Sequence, residues 1–450
     1  MTPALRGNRV LRFALVVACG ACATGGTVRV SDVTPDAIPS LEAQQSQHPQ
    51  DNSNLTRLGV AYFKAGRYKD ARPVLDTVVS REPSNGVAAI YLGMTAEQLG
   101  DFAAARAAYQ RYIAVATDAG LKRTAQQRLA LASRNEMEYQ ARQALANEAT
   151  LAAMPPESNT VAVMPFQYTG SDSTLQPLGR GMAQLLVTDL AKSRQIRVLE
   201  RERMQAIVDE LHLSDSQRVA PATAVRSGRL LRAAEVVQGA IGSQPGNQLQ
   251  VNAEVVNVGS SQVKAAAQRR DLLERVFDIE KQVAFTLFAN LGIQLSPAER
   301  EAINQRPTQN LQAFLAYSRG LQAEDNGDFG AAQSDFNQAA TLDPGFRAAS
   351  ASAASATSLS AASQQTVSQV EATVSQSTTI GGPTVAPLND ALQNATNNVN
   401  PSNGAETSSQ NGGGGITPTT NRGNPIPDAT GTSGGQQATG SVVIIIKRPS

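Results

Sequence analysis

A short apolar run at residues 159–166, NTVAVMPF, reads as a buried strand. Leu178, Met182, Leu185, Leu186 and Leu190 then fall at helical spacing, so residues 175–194 form a helix with one apolar face. Residues 196–200, IRVLE, are a second strand. Met204, Ile207, Val208 and Leu211 share a face of a second amphipathic helix over 201–213, and a third helix covers 222–233. Residues 235–243 are again strand-like. Strict alternation follows: Leu249, Val251, Ala253 and Val255 lie on one face, Gln248, Gln250, Asn252 and Glu254 on the other. Residues 261–268 can pair with this strand across a VGSS turn, and a closing helix runs from about Asp271 to Leu291. Strands alternate with helices and a hairpin follows. That order predicts a mixed sheet covered by helices, an α/β sandwich over residues 158–295.

The preceding region repeats itself. Leu58-Gly59 aligns with Leu92-Gly93 at an offset of 34 residues, as do Gly66 with Gly100, Tyr68 with Phe102, Ala71 with Ala105 and Leu75 with Tyr109. Gly59 and Ala71 admit close helix approach, Gly66 terminates the first helix, and Pro83 stops the second. The pattern resembles the tetratricopeptide repeat, a helix–turn–helix unit of this period. Repeats and a covering helical segment, 121–149, fill residues 52–150. The pattern returns once in 308–350, through Gly320, Gly327, Phe329, Ala332, Phe336, Ala339 and Pro344, with Arg319 where Leu is usual. An isolated unit needs a neighbouring surface or another subunit to bury its face. The resemblance implies a concave protein-binding groove including Val60, Phe63, Lys64, Ile90, Met94 and Glu97. Read from the residues alone, Val60, Phe63 and Ile90 are equally ordinary core positions.

The two ends differ from this middle. Arg6, Arg9 and Arg12 precede a brief apolar run, Phe13 to Ala18, and then small residues with the two cysteines of the chain. The run is shorter than the roughly 20 residues that span a bilayer and has the layout of an export signal over 1–22. VVAC, ending at Cys19, resembles the lipobox of bacterial lipoproteins, which implies acylation of Cys19; Cys22 is the second choice because Arg12 shortens the segment before Cys19. By that family's sorting pattern, Gly20 after the cysteine lacks the retaining Asp, which implies an outer-membrane anchor facing the periplasm. Polar residues 23–51 read as a tether. Residues 351–450 read as a low-complexity, mostly disordered tail, with an Ala/Ser-rich start able to extend a helix. Val442 to Ile446 is a strand-like exception near its end, either a sheet-edge addition or a fluctuating terminus.

Charge and chemistry narrow the function. The chain has 450 residues and a net charge of +1, so no global field favours nucleic acid. Two Cys and two His leave little for a metal site, and no cofactor is expected. Gly179 and Gly181 open a helix in LGRGMA, but no GK[ST] and no third glycine follow, so close strand–helix packing explains the pair better than a phosphate. No G-x-S-x-G occurs, and His48 and His212 have no catalytic setting, so an enzyme is not expected.

VAVMPF, LGRGMAQLLVTDLAKSRQIRVLERERMQAIVDEL and AEVVQGAIG with LQVNAEVVNV resemble the curli production assembly/transport (CsgG-like) family and its relatives with the TolB amino-terminal fold. The resemblance covers about 160–270, and RVLERERM carries its most specific part. It implies a periplasm-facing role in export or envelope assembly. The chain is thus expected to be a multidomain α + α/β protein and a non-catalytic adaptor whose partners are envelope proteins or peptides. Self-association is open, and an oligomeric secretion-channel component is the alternative. Channel members insert extra β-hairpins, whereas here the one candidate, 247–268, is needed by the sandwich's own sheet.

Overall fold

The computed structural model describes residues 27–213, 217–218 and 220–381. The proposed signal region, Cys19, Cys22 and the Val442–Ile446 run lie outside the described residues. The described residues divide into two compact units, 27–125 with 366–381, and 126–365.

The first unit begins with β1 (Val28–Arg29), two turns of 3-10 helix and α1 (Ile38–Gln47). These residues were expected to be a tether. Val30, Val33, Ile38 and Leu41 are buried, and Asn54 donates to the Leu41 carbonyl at 3.1 Å. Four widely spaced apolar anchors in a polar stretch are enough to dock it, which periodicity alone did not reveal. Then come α2 (Asn52–Lys64), α3 (Tyr68–Arg81), α4 (Gly86–Gln98) and α5 (Phe102–Val115), two helical hairpins. Asp51, Asn85 and Asp101 cap the starts of α2, α4 and α5 by accepting from a backbone N–H three residues on. A Cβ built on Gly59 would lie 2.5 Å from Leu75, and one on Gly93 2.6 Å from Tyr109. Glycine at these aligned positions is what lets each helix pair close.

α6 (Ala119–Ala146) is one helix of 28 residues. Its start, with Leu121 and Ala125 buried, belongs to the first unit. Further on, Ala141 joins the second unit's core beside Met204, Ile207 and Leu230. The covering segment therefore also serves the α/β domain. After α7 (Glu148–Ala153) the second unit continues through β2 (Glu157–Val163), β3 (Gln167–Tyr168), α8 (Leu178–Leu190), β4 (Arg197–Val198), α9 (Arg201–Glu210) and α10 (Pro221–Leu231). β5 (Ala233–Gln244), β6 (Gln248–Asn257), β7 (Gln262–Leu272) and α11 (Val276–Leu291) follow. The strands make one six-stranded sheet in the order β4-β2-β5-β6-β7, with β3 beside β5. β2 is parallel to β4 and β5, whereas β5, β6 and β7 are antiparallel, so the sheet is mixed. Val161 and Val163 of β2 enter the core under α8 and α11, and Ala162 and Met164 the core under α9 and α10. Burial on both faces explains why this strand is apolar without alternation. Leu249, Val251, Ala253 and Val255 of β6 are buried, as the alternation predicts. The closing helix starts at Val276, later than expected, because β7 extends to Leu272.

Next come α12 (Pro297–Asn304), α13 (Leu311–Asp325), α14 (Phe329–Leu342) and α15 (Arg347–Ser363). α13 and α14 are the third repeat, with Gly320 against Phe336 as in the first two copies. Arg319, the departure from the repeat pattern, donates to Asp335 and Gln338 of α14. This unit is not isolated: α8 covers α13, and α15 covers α14 through Ala349, Ala353 and Ala356. Arg128 donates to the carbonyls of Ala362 and Gln365 at the end of α15. Past residue 365 the chain re-enters the first unit as α16 (Val367–Ser377) and β8 (Thr379–Ile380), which pairs with β1. The low-complexity region expected from residue 351 therefore begins inside α15, the helical extension its Ala/Ser-rich start allows, and continues as α16 with Val370 and Val374 buried.

Candidate protein-binding groove

α2 and α4 are the first helices of the two repeats, and they carry the six expected groove residues. Val60, Ile90 and Met94 are wholly buried. Phe63 packs edge-on to Tyr68 and Tyr91, each at 5.3 Å between ring centres. Glu97 is half-buried. Lys64 is the informative one. Its ammonium donates to the Val30 carbonyl at 2.7 Å and to Ser375 Oγ at 2.9 Å, and lies 3.7 Å from the Glu371 carboxylate. Burial lowers the Lys64 pKa, and Glu371 acts against that shift. Tyr91, on α4, donates its hydroxyl to Glu371 Oε1 at 2.8 Å. Burial is the main cause of its raised pKa, and the Glu371 carboxylate adds to it. The candidate groove side thus carries a polar pair, Lys64 and Tyr91, and both reach α16 of the same chain. Sequence reasoning named Lys64 but missed Tyr91, Glu371 and Ser375, since nothing local joins positions some 280 residues apart. One signal was readable: Thr366 and Gln369 form a capping box ahead of Val370 and Val374.

In the second unit, the phrase RVLERERM places Arg201 at the start of α9 and 2% exposed. Its guanidinium pairs with Asp325 and, at 2.7 Å, with Glu324, both at the end of α13. Arg180 of LGRGMA donates to the other oxygen of Asp325 at 2.8 Å. Burial pushes the Glu324 carboxyl up to about 7, with Arg201 opposing and Glu202 and Asp325 reinforcing. The two arginines tie the α/β domain to the third repeat. Gly179 does pack on a strand end, where a Cβ would lie 2.0 Å from the Phe166 carbonyl oxygen. Gly181 serves a different contact, close to Ser318 and Phe314 of α13.

His48 ends α1 and His212 follows α9, both exposed. A cleft lined by Arg134, Glu202, Gln205, Asp209 and Asp325 has about 20 Å³ of space, room for a water or two. Among the described residues no three His, Cys, Asp or Glu side chains are grouped to hold a metal, and no helix is long and apolar enough to cross a membrane.

Residues 56–120 match the tetratricopeptide repeat family, and residues 142–270 match the family of the curli production assembly/transport component CsgG. No curated protein matches the chain. Among solved structures, the LpoB C-terminal domain from Salmonella enterica is 12% identical at a TM-score of 0.22, over 30% of this chain and 95% of that one. Yeast Tom70 is 11% identical at a TM-score of 0.22, over 75% of this chain; the chain spans 64% of Tom70. Residues 56–120 are tetratricopeptide repeats and residues 142–270 are a domain of the CsgG type.

Proposed function

We propose that the protein is a periplasm-facing outer-membrane lipoprotein, anchored through Cys19 or alternatively Cys22. It is a non-catalytic adaptor that recruits proteins during envelope assembly or export. The observation that carries this reading is the presence, in one chain, of protein-binding repeats and a domain of an assembly/transport family. The buried Arg180–Arg201–Asp325–Glu324 cluster supports it, because a rigid join between domain and repeat is what a scaffold needs. The test is affinity capture from solubilised envelopes with the full chain and with a chain lacking residues 52–117. The intact chain is expected to retain proteins that the shortened one loses; identical sets would overturn the adaptor role of these repeats.

A second reading, an oligomeric secretion-channel component, is favoured by the family description of residues 142–270. β6 and β7 have 10 and 11 residues, within the roughly 9–11 that a membrane-crossing strand needs. Yet β6 contributes Leu249, Val251, Ala253 and Val255 to the domain's own core, so inserting it would empty that core. Planar-bilayer conductance with ring-shaped particles would favour the channel, and a non-conducting monomer the adaptor.

A further inference from the structure

The groove side of the first two repeats is already filled. α16 presents Val370 and Val374, 1% and 0% exposed, while its Ser368, Gln369, Ala372, Thr373, Gln376 and Ser377 face solvent. Between the two valines Glu371 reaches Tyr91 and Lys64, and Ser375 accepts from Lys64. Thus α16 buries two aliphatic side chains four positions apart, with a carboxylate after the first, where it packs on α4 and the 3-10 turn Val30–Asp32 and meets one ammonium and one phenol. We propose that this face is a helix-binding groove, that α16 is its resident occupant, and that a partner helix of the α16 pattern enters by displacing it. This rests on the repeats being protein-binding.

Three observations make α16 a displaceable occupant rather than a fixed part of the core. It has 11 residues, fewer than the roughly 12–15 at which an isolated helix becomes even marginally stable, so its helicity depends on the groove. Its anchors are small, two valines and a serine, so a partner with Leu or Ile there would gain roughly fourfold per extra buried methylene. Beyond it, β8 is held to β1 by a pairing of just two residues, Val28 with Ile380 and Arg29 with Thr379. Lys64, largely shielded from water, keeps the Val30 carbonyl and the charge of Asp32 when α16 leaves but loses its Glu371 contact, so the proposal gives any replacement helix an acidic position matching Glu371.

The test uses the full chain and a fluorescent synthetic peptide of residues 364–381, titrated by anisotropy. In a Val370→Asp/Val374→Asp chain, whose own helix is expelled, the peptide is expected to bind. The unaltered chain should bind it roughly 10- to 1,000-fold more weakly, as expected when the open state is about 0.1–10% populated. Adding Lys64→Met or Tyr91→Phe to the expelled chain should weaken peptide binding roughly tenfold or more. Equal binding by the unaltered and expelled chains would overturn the occlusion, and indifference to both groove substitutions would overturn the carboxylate requirement. Should the two aspartates unfold the first unit, seen as lost helical circular dichroism, a protease site placed between Gln364 and Gln365 replaces them. After cleavage, exchange of the released segment for the peptide supports the proposal and its retention overturns it. Dimers of the unaltered chain that exchange α16 between copies would overturn the separate partner. None of these results alters the envelope-capture comparison above, so occlusion can fail while the adaptor reading stands.

Discussion

Arg201 shows what a single residue does when tertiary structure removes it from water. Its guanidinium is shared between Asp325 and Glu324, with Glu202 3.1 Å away. Burial alone would lower its pKa, and these carboxylates more than reverse that. Replacing it by Met takes the guanidinium from buried Glu324 and leaves Asp325 with Arg180 alone, and is expected to cost about 3–5 kcal/mol in urea unfolding. Arg319→Ala, which removes a half-exposed pair with Asp335, should cost about 0.2–1 kcal/mol. Glu324 gives the pH counterpart. Its folded value near 7 stands above the ordinary 4.5, so its neutral form stabilises the fold fully below about 4.5. That contribution is lost as pH rises through about 7. Glu324→Gln should therefore match the parent in acid and exceed it above neutrality, by at most about 3 kcal/mol. Unfolding curves on either side of this window decide it; a gain confined to acid would refute the assignment.

At the scale of elements, small residues set how closely helices approach. A Cβ on Gly181 would lie 2.0 Å from Ser318 Oγ and 2.8 Å from the Phe314 ring, so α8 and α13 would have to separate. Gly181→Ala is expected to destabilise the second unit by about 1–3 kcal/mol. Adding Ser318→Ala should recover part of that loss, and strict additivity in a double-mutant cycle would show that the two do not touch. Gly330, near the start of α14, has its nearest neighbour 3.6 Å from a built Cβ. Gly330→Ala should therefore raise stability, by about 0.5–1 kcal/mol. The helices were legible element by element because caps, glycines and apolar spacing are local. α15 was legible as an Ala/Ser-rich helical extension, but α1 and α16 were not, since each is held by a few small or scattered anchors whose burial depends on distant partners.

At the scale of the molecule, the prediction concerns where the chain resides. If Cys19 is the proposed lipid site, Cys19→Ser should move the protein from the membrane fraction to the soluble fraction, and intact mass should lose one acylated cysteine. Continued membrane attachment would shift the assignment to Cys22 or remove the anchor. The repeats that carry the candidate groove were readable from the 34-residue period, and the contact of α16 with Lys64 and Tyr91 was not. Glu371 and Tyr91 are joined through the fold alone, with no local pattern to announce it.

The sequence by itself determined the repeat period, the mixed sheet under helices, the alternating face of β6 and the absence of familiar catalytic motifs. Those follow from periodicity and residue type, which act over one or two turns. Tertiary structure decided the rest: that Arg180 and Arg201 clasp the end of α13, that the third repeat is covered by α8 and α15, and that α16 meets Lys64 and Tyr91. Such contacts depend on desolvating charges and matching surfaces across hundreds of residues, where composition carries no information about which partner is met.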